Sequence, residues 1–394
     1  MGIKSIRDID IKGKRVFFRF DFNVPLDSSG VIKDDTRIRR ALPTINYAIE
    51  QGARLILASH LGRPKGEKKP EMSLRPVAMR LQELVGREVR FVDDCIGQEV
   101  KEAVATIPDG GLLLLENLRF HSGETKNDPE FARELASIAD VYVNDAFGTA
   151  HRAHASTVGI TSFVKEKAAG LLLKEELENL DKAFSNPARP VVAIFGGAKV
   201  SDKLGVLTNI LDRMDVVLIG GGMANTFLRA SGTAMGTSRI EEDLVGTASE
   251  ILQSAKNMGR EVLLPVDVVV ADRMEGVSRG ELVDVQSVPS EEMALDVGSR
   301  TIKNFEVEIG KAGTIIWNGP MGVFENPAFS HGTMEIARAV AASGAFSVVG
   351  GGDTIRAVQQ RGVADKISYI STGGGAFMEF MEGKILPGVA ALES

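Results

Sequence analysis

The chain has 394 residues and a mass of 42.2 kDa, which at roughly 150 residues per domain predicts two domains. With 44% hydrophobic and 25% charged residues it has ordinary globular composition, which excludes a largely disordered chain, and no apolar run approaches the roughly 18 residues of a membrane helix. A formal charge of −7 and a pI near 5.5 argue against a partner that is nucleic acid or an anionic membrane surface.

In chain order, short apolar runs predict strands at Arg15–Phe20, Arg54–Ser59, Val89–Val92, Leu112–Glu116 and Asp140–Asn144. Asn127-Asp128-Pro129 opens a helix, with Asp128 as its cap and Pro129 at the first helical position. Gly170 through Ala183 reads as one helix with Leu171, Leu172, Leu177 and Leu180 in a stripe, and the run from Ser185 to Pro190 breaks it. A second group of strands follows at Val191–Phe195, Val216–Ile219, Glu261–Leu264, Thr314–Trp317, Phe346–Val349 and Ile367–Ile370. Most of these runs are continuously apolar, which suits strands of a parallel sheet buried on both faces. The alternation with helix-like stretches predicts an α/β fold of two doubly wound, Rossmann-like parallel-sheet domains joined by an interdomain helix.

Ligands of such sheets bind beyond the carboxyl ends of the strands, and the two halves differ there. In the first half the strands run into Asp21-Phe22-Asn23, His60-Leu61-Gly62-Arg63, Asn117-Leu118-Arg119 and Asn144-Asp145 with His151-Arg152 beyond, while Arg37, Arg39 and Arg40 follow the first turn. Several planar guanidinium forks at neighbouring strand ends suit one small, highly anionic ligand, although any single arginine is as readily a solvated surface residue. In the second half the strands run into Gly196-Gly197-Ala198-Lys199, Gly220-Gly221-Gly222, Gly350-Gly351-Gly352-Asp353-Thr354 and Gly373-Gly374-Gly375. Glycine admits phosphate to the backbone at a helix start, so four such turns, with one lysine and one acid, point to a nucleotide. Asp353 is the candidate Mg²⁺ partner, since that ion takes one or two carboxylates plus phosphate oxygens.

Several classes are excluded by missing motifs. No GxxxxGK followed by Ser or Thr is present, no GxGxxG opens either half, and no GxSxG occurs, which disfavours Walker-A proteins, dinucleotide-linked dehydrogenases and α/β-hydrolases. The single cysteine, Cys95, forms no intrachain disulfide and reads as an inert buried thiol; Trp317 reads as core. The N-terminal MGIKSIRDIDIKGK has no apolar stretch, so a cytoplasmic protein is expected. A non-catalytic two-lobed anion binder is the rival reading, against which Lys199 and Asp353 argue.

The strings RFDFNVP from Arg19, DDTRIRRALPT from Asp34, SHLGRPKG from Ser59, LLLLENLRF from Leu112, NDAFGTAHRAHAST from Asn144, FGGAKVSDK from Phe195, WNGPMGVFE from Trp317, VVGGGDT from Val348 and STGGGA from Ser371 occur in one chain. Over its whole length the sequence resembles the phosphoglycerate kinase family, bacterial members in particular. The resemblance implies reversible, Mg²⁺-dependent phosphoryl transfer from 1,3-bisphosphoglycerate to ADP, giving 3-phosphoglycerate and ATP, by a monomer that closes about hinges. It implies glycerate binding in the first domain by Asp21, Phe22, Asn23, Arg37, His60, Leu61, Gly62, Arg63, Arg119 and Arg152, with Arg19 at the edge of the patch. It implies nucleotide binding in the second by Gly197, Lys199, Lys203, Gly221, Asn318, Glu325, Gly350, Gly351, Gly352, Asp353 and Thr354. Arg37, Lys199, Gly373 and Gly374 would act on the transferring group, Glu325 on the ribose and Asp353 on Mg²⁺. The implied domains are residues 1–169, a connecting helix at 170–185, residues 186–372, and a hinge helix and tail at 373–394 that returns to the first domain. Asn225 departs from the family pattern, in which an aromatic is frequent, and His331 is assigned no role.

Overall fold

The computed structural model describes residues 2–393; Met1 and Ser394, the outer limits of the expected domains, lie outside the described residues. Two compact units form, one of the chain up to Leu177 together with the chain from Ile385, the other of Glu178–Lys384.

In the first unit, β1 (Arg15–Phe20), β2 (Arg54–Ala58), β3 (Val89–Val92), β4 (Leu112–Leu115), β5 (Val141–Asp145) and β6 (Glu166–Ala169) make one parallel sheet in the order β3-β4-β2-β1-β5-β6. Burial on both faces explains the uninterrupted apolar runs. Phe18, Phe20 and Phe22 stack along one face with centroids 5.6 and 5.1 Å apart, while Phe17 packs on Tyr142 on the other. The expected strand at Asp140 begins one residue later, because the Asp140 carboxylate accepts from the Arg15 backbone N–H at 2.9 Å and its side chain at 2.6 Å. β6 was not expected: Glu-Lys-Ala-Ala is neither apolar nor alternating, and an edge strand needs only the one neighbour, β5. Asp128 caps the helix Pro129–Ser137 by accepting from the N–H groups of Glu130 and Phe131.

The helix expected at Gly170–Ala183 spans Leu171–Phe184. Its first turn is seated on the first unit: Leu171 N–H donates to Thr44 Oγ1 and Leu173 N–H to Asp145 Oδ1, both at 2.9 Å. A Cβ at Gly170 would lie 2.3 Å from the Asp145 carboxylate, so only glycine fits over that buried acid. The expected connecting helix at 170–185 is itself divided, its residues up to Leu177 counting with the first unit and those from Glu178 with the second. The chain from Ile385 packs in the first unit, with Gly388 N–H donating to the Ala150 carbonyl at 2.8 Å; the helix Gly375–Met381 belongs to the second, so the 373–394 segment divides between them.

In the second unit, β7 (Val191–Phe195), β8 (Val216–Ile219), β9 (Glu261–Leu263), β13 (Thr314–Asn318), β14 (Phe346–Gly350) and β15 (Tyr369–Ile370) form a second parallel sheet, ordered β15-β14-β13-β7-β8-β9. Trp317 is fully buried in its core, its indole N–H donating to the Gly319 carbonyl at 2.8 Å. Three further strands, β10 (Asp267–Ala271), β11 (Glu281–Asp284) and β12 (Met293–Val297), form an antiparallel sheet ordered β11-β10-β12 that the sequence reading passed over. β11 is largely exposed and carries acids at both ends, so its apolar signal is weak. No described helix is long and apolar enough to cross a membrane.

Candidate active site

In the first unit, the order β4-β2-β1 sets three polar strand ends side by side, and side chains knit them. Asn117, after β4, accepts from Leu61 N–H at 3.2 Å and donates to the Leu61 carbonyl at 2.7 Å. Asn23, after β1, accepts from Gly62 N–H at 2.8 Å, and Ser59 Oγ accepts from Phe22 N–H at 2.8 Å. Leu61 therefore has both backbone groups engaged, and Phe22 is core; neither offers a free polar group to a ligand. Arg37, from the helix Thr36–Glu50, donates to Asp21 Oδ2 at 2.7 Å. Arg152 donates to His151 Nε2 at 3.1 Å, and Arg63 is exposed.

The guanidinium groups converge. Burial and then the charges of Arg19, Arg119, Arg37 and Arg152 push the His60 imidazole well below its ordinary value. His154 falls to about 4, through burial and then Arg119, Arg19 and Arg152. Arg119 itself, 5% exposed, drops to about 10, through burial first and then Arg19 and Arg152. It donates from Nη1 to the Gly62 carbonyl at 2.7 Å, while its Nε and Nη2 are buried with no hydrogen-bond partner. Folded proteins rarely leave such donors unmet. The counter-charge that sequence reasoning missed is Glu124, fully buried, with Oε1 4.0 Å from Arg19 Nη2 and 3.8 Å from His154 Nδ1. It follows no strand, and nothing local in the sequence pairs it with Arg19.

In the second unit the glycine turns divide into two kinds. A Cβ on Gly196 would lie 2.0 Å from the Pro320 carbonyl oxygen, one on Gly221 2.7 Å from Gly197 N, and one on Gly350 2.4 Å from the Phe377 ring. Those glycines serve close packing of strand ends against neighbouring loops and helices. Gly197, Gly352 and Gly374 have nothing within 4 Å of a Cβ position and face open space. Gly351, at φ +93°, precedes the helix Gly352–Gln360 and adopts a conformation that favours glycine. Gly373 N–H donates to Ser371 Oγ at 3.2 Å.

Asn318, at the end of β13, ties this site together: its Nδ2 donates to the Gly350 carbonyl at 3.0 Å and its Oδ1 accepts from Lys203 Nζ. Burial lowers Lys203 to about 8 against the opposing pull of Asp202 and Asp353. Thr354 is buried, its hydroxyl accepting from Gly319 N–H at 2.7 Å, so it braces the β13 turn. Asp353 and Glu325 are both exposed and share one arginine, Arg356 Nη2, at 2.9 and 3.1 Å. Sequence reasoning missed Arg356, although its place three residues after Asp353 on a helix is a readable signal. Lys199 is half-buried. Asn225 is buried and donates to the Arg239 carbonyl at 3.4 Å.

Two other features lie apart from these sites. A cavity of about 1150 Å³ in the first unit, lined by Leu26, Lys68, Pro70, Arg75, Met79 and Phe120, includes none of the clustered arginines, and its mixed lining makes it the weaker ligand site. The ligand atoms of Asp94, Cys95 and His121 lie within 4.8 Å of one another, but His121 Nε2 and Asp94 Oδ1 are hydrogen-bonded at 2.6 Å. Burial and neighbouring carboxylates push the Cys95 thiol well above its ordinary range, so it is inert.

A model of the phosphoglycerate kinase family matches residues 6–384. The chain is 57% identical over 400 residues to a phosphoglycerate kinase from Koribacter versatilis, covering all of this chain and 99% of that protein. It is 52% identical over 395 residues to a cytosolic phosphoglycerate kinase of Triticum aestivum, covering all of this chain and 98% of that one. The solved phosphoglycerate kinase of Coxiella burnetii superposes with a TM-score of 0.92 at 44% identity, covering 99% of this chain and 98% of that one. Arginines massed at one set of strand ends, open glycines and half-buried lysines at the other, and these full-length likenesses agree: the chain belongs to the phosphoglycerate kinase family and is a phosphotransferase enzyme.

Proposed function

We propose that the protein transfers a phosphoryl group reversibly between 1,3-bisphosphoglycerate and ADP, giving 3-phosphoglycerate and ATP. The observation that carries the glycerate side is Arg119, a buried guanidinium with two unmet donors amid like charges. Such a group is costly to the empty protein and is satisfied by phosphate or carboxylate oxygens. Asp21, Asn23, Arg37, His60, Gly62, Arg63 and Arg152 complete that site, with Phe22 and Leu61 fixing its frame.

On the nucleotide side, Lys203 and Asn318 face the phosphates with the open Gly197 and Gly352, and Glu325 takes the ribose hydroxyls. The exposed Asp353 carboxylate fits Mg²⁺, which is held by one or two carboxylates with phosphate oxygens completing its shell. When bound, the ion neutralises phosphate charge. Both nucleophiles, a phosphate and a carboxylate, are already ionised at neutral pH, a free carboxyl titrating at about 4, so no general base is needed. The protein's work is alignment and charge neutralisation: Arg37 and Lys199 bind equatorial oxygens, and the Gly373-Gly374 turn that leads into the helix Gly375–Met381 receives the transferring group. The two substrates are held by different units, and in-line transfer needs reacting atoms within roughly 3–3.5 Å, so we infer a closing motion when both are bound. A cytoplasmic monomer is the setting we propose, in keeping with the cytosolic name of the similar wheat protein.

A coupled assay with purified protein, 3-phosphoglycerate and MgATP tests this reading. Formation of the acyl phosphate, detected by NADH oxidation through an added dehydrogenase, is expected. No signal with active coupling enzyme refutes it.

A further inference from the structure

Behind the arginine cluster, four side chains far apart in sequence form a continuous hydrogen-bonded chain. Glu124, fully buried, accepts from Ser156 Oγ at 2.7 Å through Oε1 and from the Ser156 backbone N–H at 3.0 Å through Oε2. With its proton directed at Glu124, Ser156 Oγ accepts from Arg19 Nε at 2.8 Å. Arg19, also fully buried, donates from Nη1 to the Phe20 carbonyl and meets His60 Nδ1 through Nη2 at 3.2 Å.

The chemistry of arginine sets the direction of this last contact. A guanidinium has only donors, so the hydrogen bond requires a lone pair on His60 Nδ1. A neutral imidazole with its lone pair on Nδ1 carries its proton on Nε2. An imidazolium would set N–H against N–H at Nδ1, and Arg19, Arg37, Arg119 and Arg152 oppose any further positive charge there. The nearest acid, Asp21, has its Oδ1 3.9 Å from Nδ1, beyond hydrogen-bonding reach, and is itself engaged by Arg37.

We infer that Glu124, Ser156 and Arg19 form a positioning relay that fixes His60 as a neutral Nε2–H donor to an anionic oxygen of the three-carbon substrate. The inference rests on the glycerate-site reading above. Without the relay, a buried neutral histidine exchanges tautomers, and in one of them it turns a lone pair toward an anion. Glu124 anchors the far end: its carboxylate leaves Ser156 Oγ no role but donor to the acid and acceptor from Arg19. No proton moves during the reaction; the relay selects one hydrogen-bonding state.

Nitrogen-15 NMR of histidine-labelled protein tests the inference. The chain has five histidines, and the His60 signals are identified by their loss in His60→Gln. The Nε2–H tautomer is expected from pH 6 to 8 in the wild type, with no titration; an Nδ1–H tautomer or an imidazolium at pH 7 overturns the relay. Ser156→Ala removes only the bridging hydroxyl. It should give a tautomer mixture at His60 and raise KM for 3-phosphoglycerate about tenfold, with KM for nucleotide within about twofold, the size of one charge-assisted hydrogen bond. Wild-type tautomer and KM in a folded Ser156→Ala protein also overturn it. The wild-type spectrum decides the tautomer whether or not that variant folds. An inactive wild type refutes the functional reading instead, while the spectrum still decides the relay.

Discussion

Replacing Arg119 by methionine should weaken glycerate binding and, against the usual expectation for a buried charged residue, leave the protein at least as stable. The guanidinium is held at about 10, well below the ordinary arginine range, which corresponds to about 3 kcal/mol against the charged form. The folded value lies below the unfolded one, so this cost is fully present at neutral pH and is relieved only as pH rises above about 10. Methionine keeps the apolar stem and removes the charge. It forfeits the hydrogen bond to the Gly62 carbonyl, whose loss costs about 1–2 kcal/mol. The balance favours the variant by about 1 kcal/mol. Binding moves the other way. Two donors, Nε and Nη2, have no partner within the protein, and if the ligand meets both, at about 1.5 kcal/mol or more each, their loss weakens 3-phosphoglycerate by about 10²-fold.

Urea unfolding at pH 7 with and without 3-phosphoglycerate measures both quantities. The variant's midpoint should match or exceed that of the wild type, with an unchanged slope, and should respond far less to ligand. A variant more than about 1 kcal/mol less stable, or one with the full ligand response, refutes the idea that the empty site holds an under-satisfied charge.

Four further outcomes are expected. Arg37→Ala should lower kcat by at least about 10²-fold in the steady-state assay, comparable to losing an electrostatic donor; a loss under threefold removes Arg37 from the transferring group. Lys203 is charged below about 8, so nucleotide affinity by calorimetry should fall as pH rises through that value, a dependence that Lys203→Met should abolish. In Asp353→Asn, Mg²⁺ should change ADP affinity much less than in the wild type; an unchanged magnesium dependence locates the ion elsewhere. Burial raises Asp296 to about 7, so the native state binds that proton more tightly than the unfolded chain and stability is lost as pH rises toward 7. Between pH 5 and 7 the stability difference should therefore move in favour of Asp296→Asn by about 1.4 kcal/mol per pH unit; parallel stability curves refute this.

The parallel strands were legible because burial on both faces leaves an unbroken apolar run, as in Leu112–Leu115 and Val216–Ile219. The first-unit site was legible for a related reason: residues after such a strand emerge at a predictable edge, so Arg119 and His60 announce themselves as polar groups where the chain leaves the sheet. What stayed hidden is whatever depends on the far side of a contact. Gly196 and Gly197 are identical in sequence, yet one is crowded by the Pro320 carbonyl and the other is open, a distinction made by a residue over a hundred positions away. Glu124 and Ser156 are 32 residues apart, and only folding brings both to Arg19. The asymmetry has a physical cause. A binding site must carry its own recognition charges, so these appear as a pattern at the strand ends. The groups that balance them need only reach them from behind, and can do so from any element that packs there. Counter-charges are thus recoverable from the hydrogen-bond accounting of buried polar atoms, which compels each buried guanidinium to have a partner or a ligand. Arg19 has a partner for each of its three nitrogens, whereas Arg119 leaves Nε and Nη2 unmet, and that difference separates an arginine that braces the cluster from the one we propose binds substrate.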